Sequence, residues 1–125
     1  MKDEFKQKLT PDQLRVCGLG GTEAPFSGVY NKHFESGDYN CVACGQVLFS
    51  STTKFDSGSG WPSFWDVYHS KNVQLIDDHS YGVHRVEVRC SGCESHLGHV
   101  FEDGPRPTGQ RWCINSLALE FKASK

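Results

Sequence analysis

No stretch of this 125-residue chain comes near the roughly 18 consecutive apolar residues that a membrane-spanning helix requires. An excess of positive charge is missing as well. Thirteen Lys and Arg face fifteen Asp and Glu, for a formal net charge of −2, and no run of like charge exceeds a few residues. A protein held to nucleic acid by phosphate contacts needs a basic surface, so that class is excluded. The opening MKDEFKQKLT is too polar and acidic for a secretory signal peptide, and a soluble chain is expected. Cysteine is too sparse for a disulfide scaffold: six in 125 residues is about 5%, against roughly 8–10% in small secreted frameworks. Long helical stripes of apolar residues are also lacking, and there is no internal repeat beyond two C-x-x-C turns.

What is present fits one domain over residues 1–125, with 1–8 expected as a flexible tail. A single helix start is written clearly. Thr10 can cap, Pro11 occupies the first helical position, and Gln13 can reach back to the cap's backbone N–H. Gly18, Gly20 and Gly21 end that helix soon after. From there the apolar residues come in short runs between Gly, Ser, Asn and Asp, so the expected fold is mainly β with one short N-terminal helix. Tyr39 to Phe49 reads as two short strands. Val83 to Cys90 alternates, with His84, Val86 and Val88 opposite Arg85, Glu87 and Arg89. Gln110 to Phe121 alternates too, which places Arg111, Cys113 and Asn115 on one face and Trp112 and Ile114 on the other. Lys54 to Phe64 and Asp103 to Gly109 are turn-rich loops of the kind that carry function on a rigid scaffold.

The cysteines divide by spacing. Cys41-Val-Ala-Cys44 and Cys90-Ser-Gly-Cys93 are two C-x-x-C turns, each able to aim two thiolates at one tetrahedral ion, with Gly45 and Gly92 easing the knuckles. Together they predict a closed, structural zinc site of four thiolates. The intervening stretch of about 45 residues exceeds the roughly 15–20 of a compact zinc ribbon, so the metal would join distant parts of one domain. The alternative for these residues is two redox-active or merely buried thiol pairs. Cys17 and Cys113 remain as single thiols, which implies a second task in a reducing compartment.

Cys113 sits in Arg111-Trp112-Cys113-Ile114-Asn115-Ser116 with polar Arg111 and Asn115 on its own face, where a core cysteine would have apolar neighbours. An arginine favours the thiolate, and an asparagine can position a substrate, so the face reads as a nucleophile site. Upstream, His96-Leu97-Gly98-His99-Val100-Phe101-Glu102-Asp103 offers two imidazoles, an aromatic ring and a carboxylate. Extended backbone puts His99, Phe101 and Asp103 on one side, and Gly98 permits a bend that would bring His96 round. Taken alone, these histidines read equally as acid–base groups or ligands and as packed side chains.

The motifs in order resemble one family. Gly21-Thr22-Glu23 with Phe26-Ser27-Gly28, then C-V-A-C, K-F-D-S-G-S-G-W-P-S-F, C-S-G-C, H-L-G-H-V-F-E-D-G-P-R-P-T-G and R-W-C-I-N-S are similar to the methionine-R-sulfoxide reductases, the B type of methionine sulfoxide reductase, from about Leu9 to Phe121. The resemblance implies two antiparallel sheets stapled by the zinc site. It also implies Cys113 as nucleophile, His96 and His99 as the groups that bind and protonate the sulfoxide oxygen, and Asn115 and Arg111 as assistants. Trp61 and Phe101 would wall the pocket for the S-methyl group, and Asp103 would orient His99. Many members of the family carry a resolving cysteine where this chain has Ser59. With the zinc thiols committed, Cys17 is then the thiol expected to form a disulfide with Cys113, recycled by thioredoxin or a similar dithiol; resolution by an external thiol is the alternative.

These residue types suit the reaction. A sulfoxide sulfur becomes electrophilic when its oxygen is hydrogen-bonded or protonated, so a soft thiolate must attack while an acid of near-neutral pKa delivers a proton. Attack leaves a cysteine sulfenic acid that a second thiol can condense with. The expected partners are oxidised methionine in proteins and the dithiol donor, the expected state a monomer, and the expected location a reducing compartment, the cytoplasm or an organelle. The competing class is a non-catalytic zinc-stapled interaction module, in which Cys113 would be a packed thiol. A cysteine hydrolase is disfavoured because no oxyanion loop is evident.

Overall fold

A computed structural model of the chain describes residues 1–124. Its one α-helix, α1 (Pro11–Cys17), begins as the sequence predicts. The Thr10 side chain accepts from the Gln13 N–H, the Gln13 side chain accepts from the Thr10 N–H at 2.9 Å, and the Gly18 N–H closes the last turn on Leu14. Helix α1 buries Val16 and Cys17. The segment expected as a tail carries a 3-10 turn, Asp3–Phe5, and the Lys2 N–H donates to the Cys93 carbonyl at 2.8 Å.

Nine strands follow, in two antiparallel sheets. The three-stranded sheet has β1 (Gly37–Cys41) at its centre, between β2 (Val47–Ser50) and the C-terminal β9 (Leu119–Ala123). The six-stranded sheet runs β3 (Lys54–Phe55), β4 (Ser63–Phe64), β8 (Arg111–Ile114), β7 (His96–Phe101), β6 (Arg85–Cys90) and β5 (Val73–Asp78). This mainly β fold of two sheets with one short helix is the expected class. Aromatic residues bridge the sheets: Phe49 of β2 stacks on Phe64 of β4 with centroids 4.4 Å apart, and Tyr39 of β1 meets the same Phe64 edge-on at 5.2 Å. All three rings are fully buried, each contributing roughly 2–3 kcal/mol by area, with about 1 kcal/mol more for each ring pair.

One expected element divides. Gln110 to Phe121 is not a single alternating strand, because after β8 the chain leaves the six-stranded sheet at Asn115, makes a 3-10 turn over Ser116–Ala118 and enters the other sheet as β9. Asn115 marks the break: its backbone N–H and its side-chain amide both donate to the Leu97 carbonyl of the neighbouring strand at 2.9 Å. The loop Lys54 to Phe64 keeps its irregular centre but pairs at its ends as β3 and β4.

The two C-x-x-C turns close the β1–β2 and β6–β7 hairpins, one from each sheet, and their four sulfurs lie within 4.8 Å of one another. Cys41 Sγ stands 3.6 Å from Cys93 Sγ, and Cys44 Sγ 3.5 Å from Cys90 Sγ. A tetrahedron with metal–sulfur bonds of about 2.3 Å has edges of about 3.8 Å, so the donor set fits one metal ion joining the sheets.

Candidate active site

Across the six-stranded sheet, register sets His99 of β7 directly opposite Cys113 of β8, and Phe101 opposite Arg111. These side chains, with Asn115, Trp61, Ser59, Thr22 and Arg85, line a cavity of about 270 Å³. The polar face read from the R-W-C-I-N-S segment is therefore a cavity wall. Trp61 is fixed by its indole N–H, which donates to the Glu23 carbonyl at 3.0 Å, and the Asn115 amide oxygen accepts the Glu23 N–H at 3.0 Å. Glu23 itself is buried, and its carboxylate accepts the Leu117 N–H at 2.9 Å. It thus ties both sides of the cavity to the chain break beyond β8, a role the sequence reading did not assign.

Burial pushes the Cys113 thiol up, while the Arg111 charge and a hydrogen bond from the Ser59 hydroxyl pull it down. Arg111 in turn donates two hydrogen bonds to Asp103, at 2.9 and 3.2 Å, and lies over the Phe101 ring at 4.5 Å. The arrangement presents a fixed cation to any negative charge that develops on the sulfur.

Asp103 does not orient His99. Its carboxylate is engaged by Arg111, and the partner of the His99 ring is Asp78 at the end of β5, 2.8 Å from Nε2. The resemblance implied Asp103 for this role, whereas the sheet brings a carboxylate from two strands away. His96 is brought round, as Gly98 allowed. Val88 pairs with Gly98 and Arg89 with His96, so Leu97 forms a β-bulge, and the two imidazoles meet edge to face with centroids 5.6 Å apart. His96 nevertheless stands behind His99 and does not line the Cys113 cavity. Its Nδ1 faces Glu87 Oε2 at 2.7 Å, its Nε2 is buried without a partner, and burial lowers its pKa despite the Glu87 charge. Burial works against the Glu87 carboxylate, but hydrogen bonds from Arg89 and His96 more than offset it and keep that carboxyl below its ordinary range. Asp78 and Glu87 were both missed in the sequence.

Cys17 is not at the cavity. It is buried at the end of α1 beside Ser95 and Cys93, with burial pushing its thiol up to about 12, and it opens on a separate space of about 200 Å³ shared with Glu87 and His96. Ser59, by contrast, lines the cavity and, like Arg111, is within hydrogen-bonding reach of Cys113.

The SelR domain family matches residues 9–123, nearly the whole chain. The chain belongs to the SelR domain family. It is 60% identical over 126 residues to a Methanosarcina barkeri protein named peptide methionine sulfoxide reductase MsrB, covering 99% of this chain and 87% of that one. A Pseudomonas aeruginosa protein of the same name is 52% identical over 119 residues, 95% of this chain and 90% of its own length. The mouse methionine-R-sulfoxide reductase B3, mitochondrial, is 56% identical over 120 residues, which are 96% of this chain and 47% of the longer mouse protein. The matched residues include Cys113, Arg111 and His99, which line one cavity with Trp61 and Phe101.

Proposed function

We propose that this chain is a thiol-dependent peptide-methionine (R)-S-oxide reductase that returns oxidised methionine in proteins to methionine. The observation that carries the reading is the juxtaposition of Cys113 and His99 across one strand pair, at a cavity with Trp61 and Phe101 in its walls. Cys113, favoured as thiolate by Arg111, attacks the sulfoxide sulfur, and His99 supplies the proton to its oxygen. Asn115 holds the polar end of the site, Asp103 holds Arg111, and His96 supports His99 from behind. The sulfoxide's S–O bond breaks and a Cys113 S–O bond forms. Methionine sulfur gains two electrons and Cys113 becomes a sulfenic acid. The aromatic walls take the methyl group, so only one epimer directs its oxygen toward His99.

The four-cysteine site is read as zinc, because four thiolates at tetrahedral spacing are a structural zinc donor set that leaves no open position for catalysis. For the return to the reduced state, Cys17 condenses with the Cys113 sulfenic acid, and thioredoxin or a similar dithiol reduces the disulfide. That step requires Cys17 to leave its buried seat, with movement of the partly exposed Gly18–Gly21 segment that follows it. The protein acts as a monomer in a reducing compartment. A zinc-stapled interaction module is the competing reading, and the polar, arginine-paired setting of Cys113 favours the enzyme.

Turnover of the separate R and S epimers of a methionine sulfoxide peptide, with dithiothreitol as donor, tests the proposal. The R epimer should be reduced selectively, Cys113→Ser should abolish the reaction, and His99→Ala should lower it roughly 10²- to 10⁴-fold. Near-normal turnover by Cys113→Ser would transfer the protein to the binding-module class.

A further inference from the structure

Asp78 ends β5, an edge strand none of whose residues lines the Cys113 cavity, yet all of its carboxylate is engaged. Oδ1 accepts the Ser80 N–H at 2.9 Å; Oδ2 accepts from Arg85 at 3.2 Å and from His99 Nε2 at 2.8 Å. The hydrogen bond from His99, and after it those from Ser80, hold this carboxyl well below the usual range. An ionised carboxylate only accepts, so Nε2 carries the hydrogen of that contact. Among the described residues Nδ1 of His99 has no hydrogen-bond partner and, unlike Nε2 of His96, is not sealed from solvent. The ring is thus gripped at one nitrogen and free at the other. Around it stand Asp78 from β5, Arg85 and Glu87 from β6, His96 on its own strand, and Arg111 and Cys113 from β8.

We propose that Asp78 is a positioning residue for His99, holding the ring by Nε2–H so that Nδ1 is the atom that delivers the proton to the sulfoxide oxygen. The proposal rests on the reductase reading above. In the step, the Cys113 thiolate and the sulfoxide become a sulfenic acid and a thioether. The proton leaves Nδ1, and the ring finishes as the neutral Nε2–H tautomer, the form the Asp78 carboxylate accepts from. Of the two neutral tautomers, Asp78 thereby favours the one that the ring reaches by donating from Nδ1. Arg85, paired with Asp78 in β-sheet register and also at the cavity wall, keeps the carboxylate ionised and in place.

The test uses the full metal-loaded chain labelled with ¹⁵N-histidine, with the His99 signals assigned by their loss in His99→Ala. Long-range ¹H–¹⁵N correlation at a pH where the ring is neutral should show the proton on Nε2 in the wild type. In Asp78→Ala that preference should collapse, and kcat for an R-sulfoxide peptide should fall roughly 10- to 100-fold, a part of what a general acid contributes, with KM within about twofold. Asp78→Asn, which keeps an acceptor oxygen, should recover part of kcat. A wild-type ring protonated on Nδ1, or an unchanged kcat in a folded Asp78→Ala, would overturn the proposal. Should the variants fail to fold, the wild-type spectrum still decides. If the wild type reduces no R-sulfoxide at all, the reductase reading has failed, while the spectrum reports separately on the hold of Asp78.

Discussion

Gly98 lies flat against the backbone of Cys113, and a β-carbon built on it would collide with the Cys113 carbonyl oxygen and reach 3.0 Å from Ile114 Cα. The same close approach sets the distance between β7, which carries His99, and β8, which carries the thiol. Gly98→Ala should therefore push the strands apart at the reacting pair. Overpacking of this kind costs roughly 1–3 kcal/mol, and a small misplacement of reacting groups can lower the rate by about 10². Thermal melts together with kcat for an R-sulfoxide peptide measure both. A variant with parental kcat would show that the contact does not set the site.

Much of this site was legible in the chain because its signals are local. The Thr10 cap, the C-x-x-C turns and the run around Cys113 each express themselves within a few residues, whereas the bend read at Gly98 is a bulge at Leu97, with Gly98 itself in register. Asp78 and Glu87 were invisible for a different reason. Each meets a histidine through strand order and register across β5, β6 and β7, and nothing in the residues Val73 to Phe101 states that His99 lies opposite Glu87 and within reach of Asp78. Asp103, which the resemblance implied as the partner of His99, is instead engaged by Arg111, which the β7–β8 pairing sets opposite Phe101. The break at Asn115 escaped period two because the contact that marks it is with the Leu97 carbonyl on another strand.

Removal of the Arg111 charge gives a second prediction. Burial raises the Cys113 pKa, and Arg111 acts in the opposite direction, so Arg111→Met should raise it further and move the pH midpoint of Cys113 alkylation by iodoacetamide upward. Each unit of such a shift lowers the thiolate fraction near pH 7 about tenfold. Asp103→Asn should act more weakly, since it frees the guanidinium without removing its charge. An unmoved midpoint in Arg111→Met would mean that the charge does not reach the sulfur.

The four cysteines stand where the β1–β2 hairpin of one sheet meets the β6–β7 hairpin of the other, so loss of a metal held there should be felt across the molecule. Cys41→Ser or Cys90→Ser should lose the metal, with destabilisation on the order of several kcal/mol, less than for a zinc finger because this domain keeps an aromatic core of its own. Metal analysis by mass spectrometry and denaturant titration provide the check. One zinc per chain in the parent is expected; a metal-free parent of undiminished stability would refute the structural role.

Cys17 poses the hardest demand on the fold. A disulfide requires sulfurs about 2.05 Å apart and Cα atoms within roughly 7 Å, yet Cys17 is buried beside Ser95 and Cys93, on the far side of His96 from the Cys113 cavity. Condensation must therefore draw Cys17 out of the core with the segment that follows α1. That segment is suited to the movement: Gly18, Gly20 and Gly21 lower the backbone barrier, and Gly20 already holds a positive φ of 74°. The same burial predicts that Cys17 reacts slowly with alkylating agents in the reduced protein and faster once Cys113 is oxidised. In Cys17→Ser, one equivalent of methionine should still form per enzyme and dithiothreitol-supported turnover should be largely kept, because a small thiol reaches the sulfenic acid directly, while thioredoxin-supported cycling should be lost. Peptide mapping after one turnover without reductant is decisive. A disulfide linking Cys17 to Cys113 is the expected product, and a persistent sulfenic acid at Cys113, or a disulfide that excludes Cys17, would hand resolution to an external thiol.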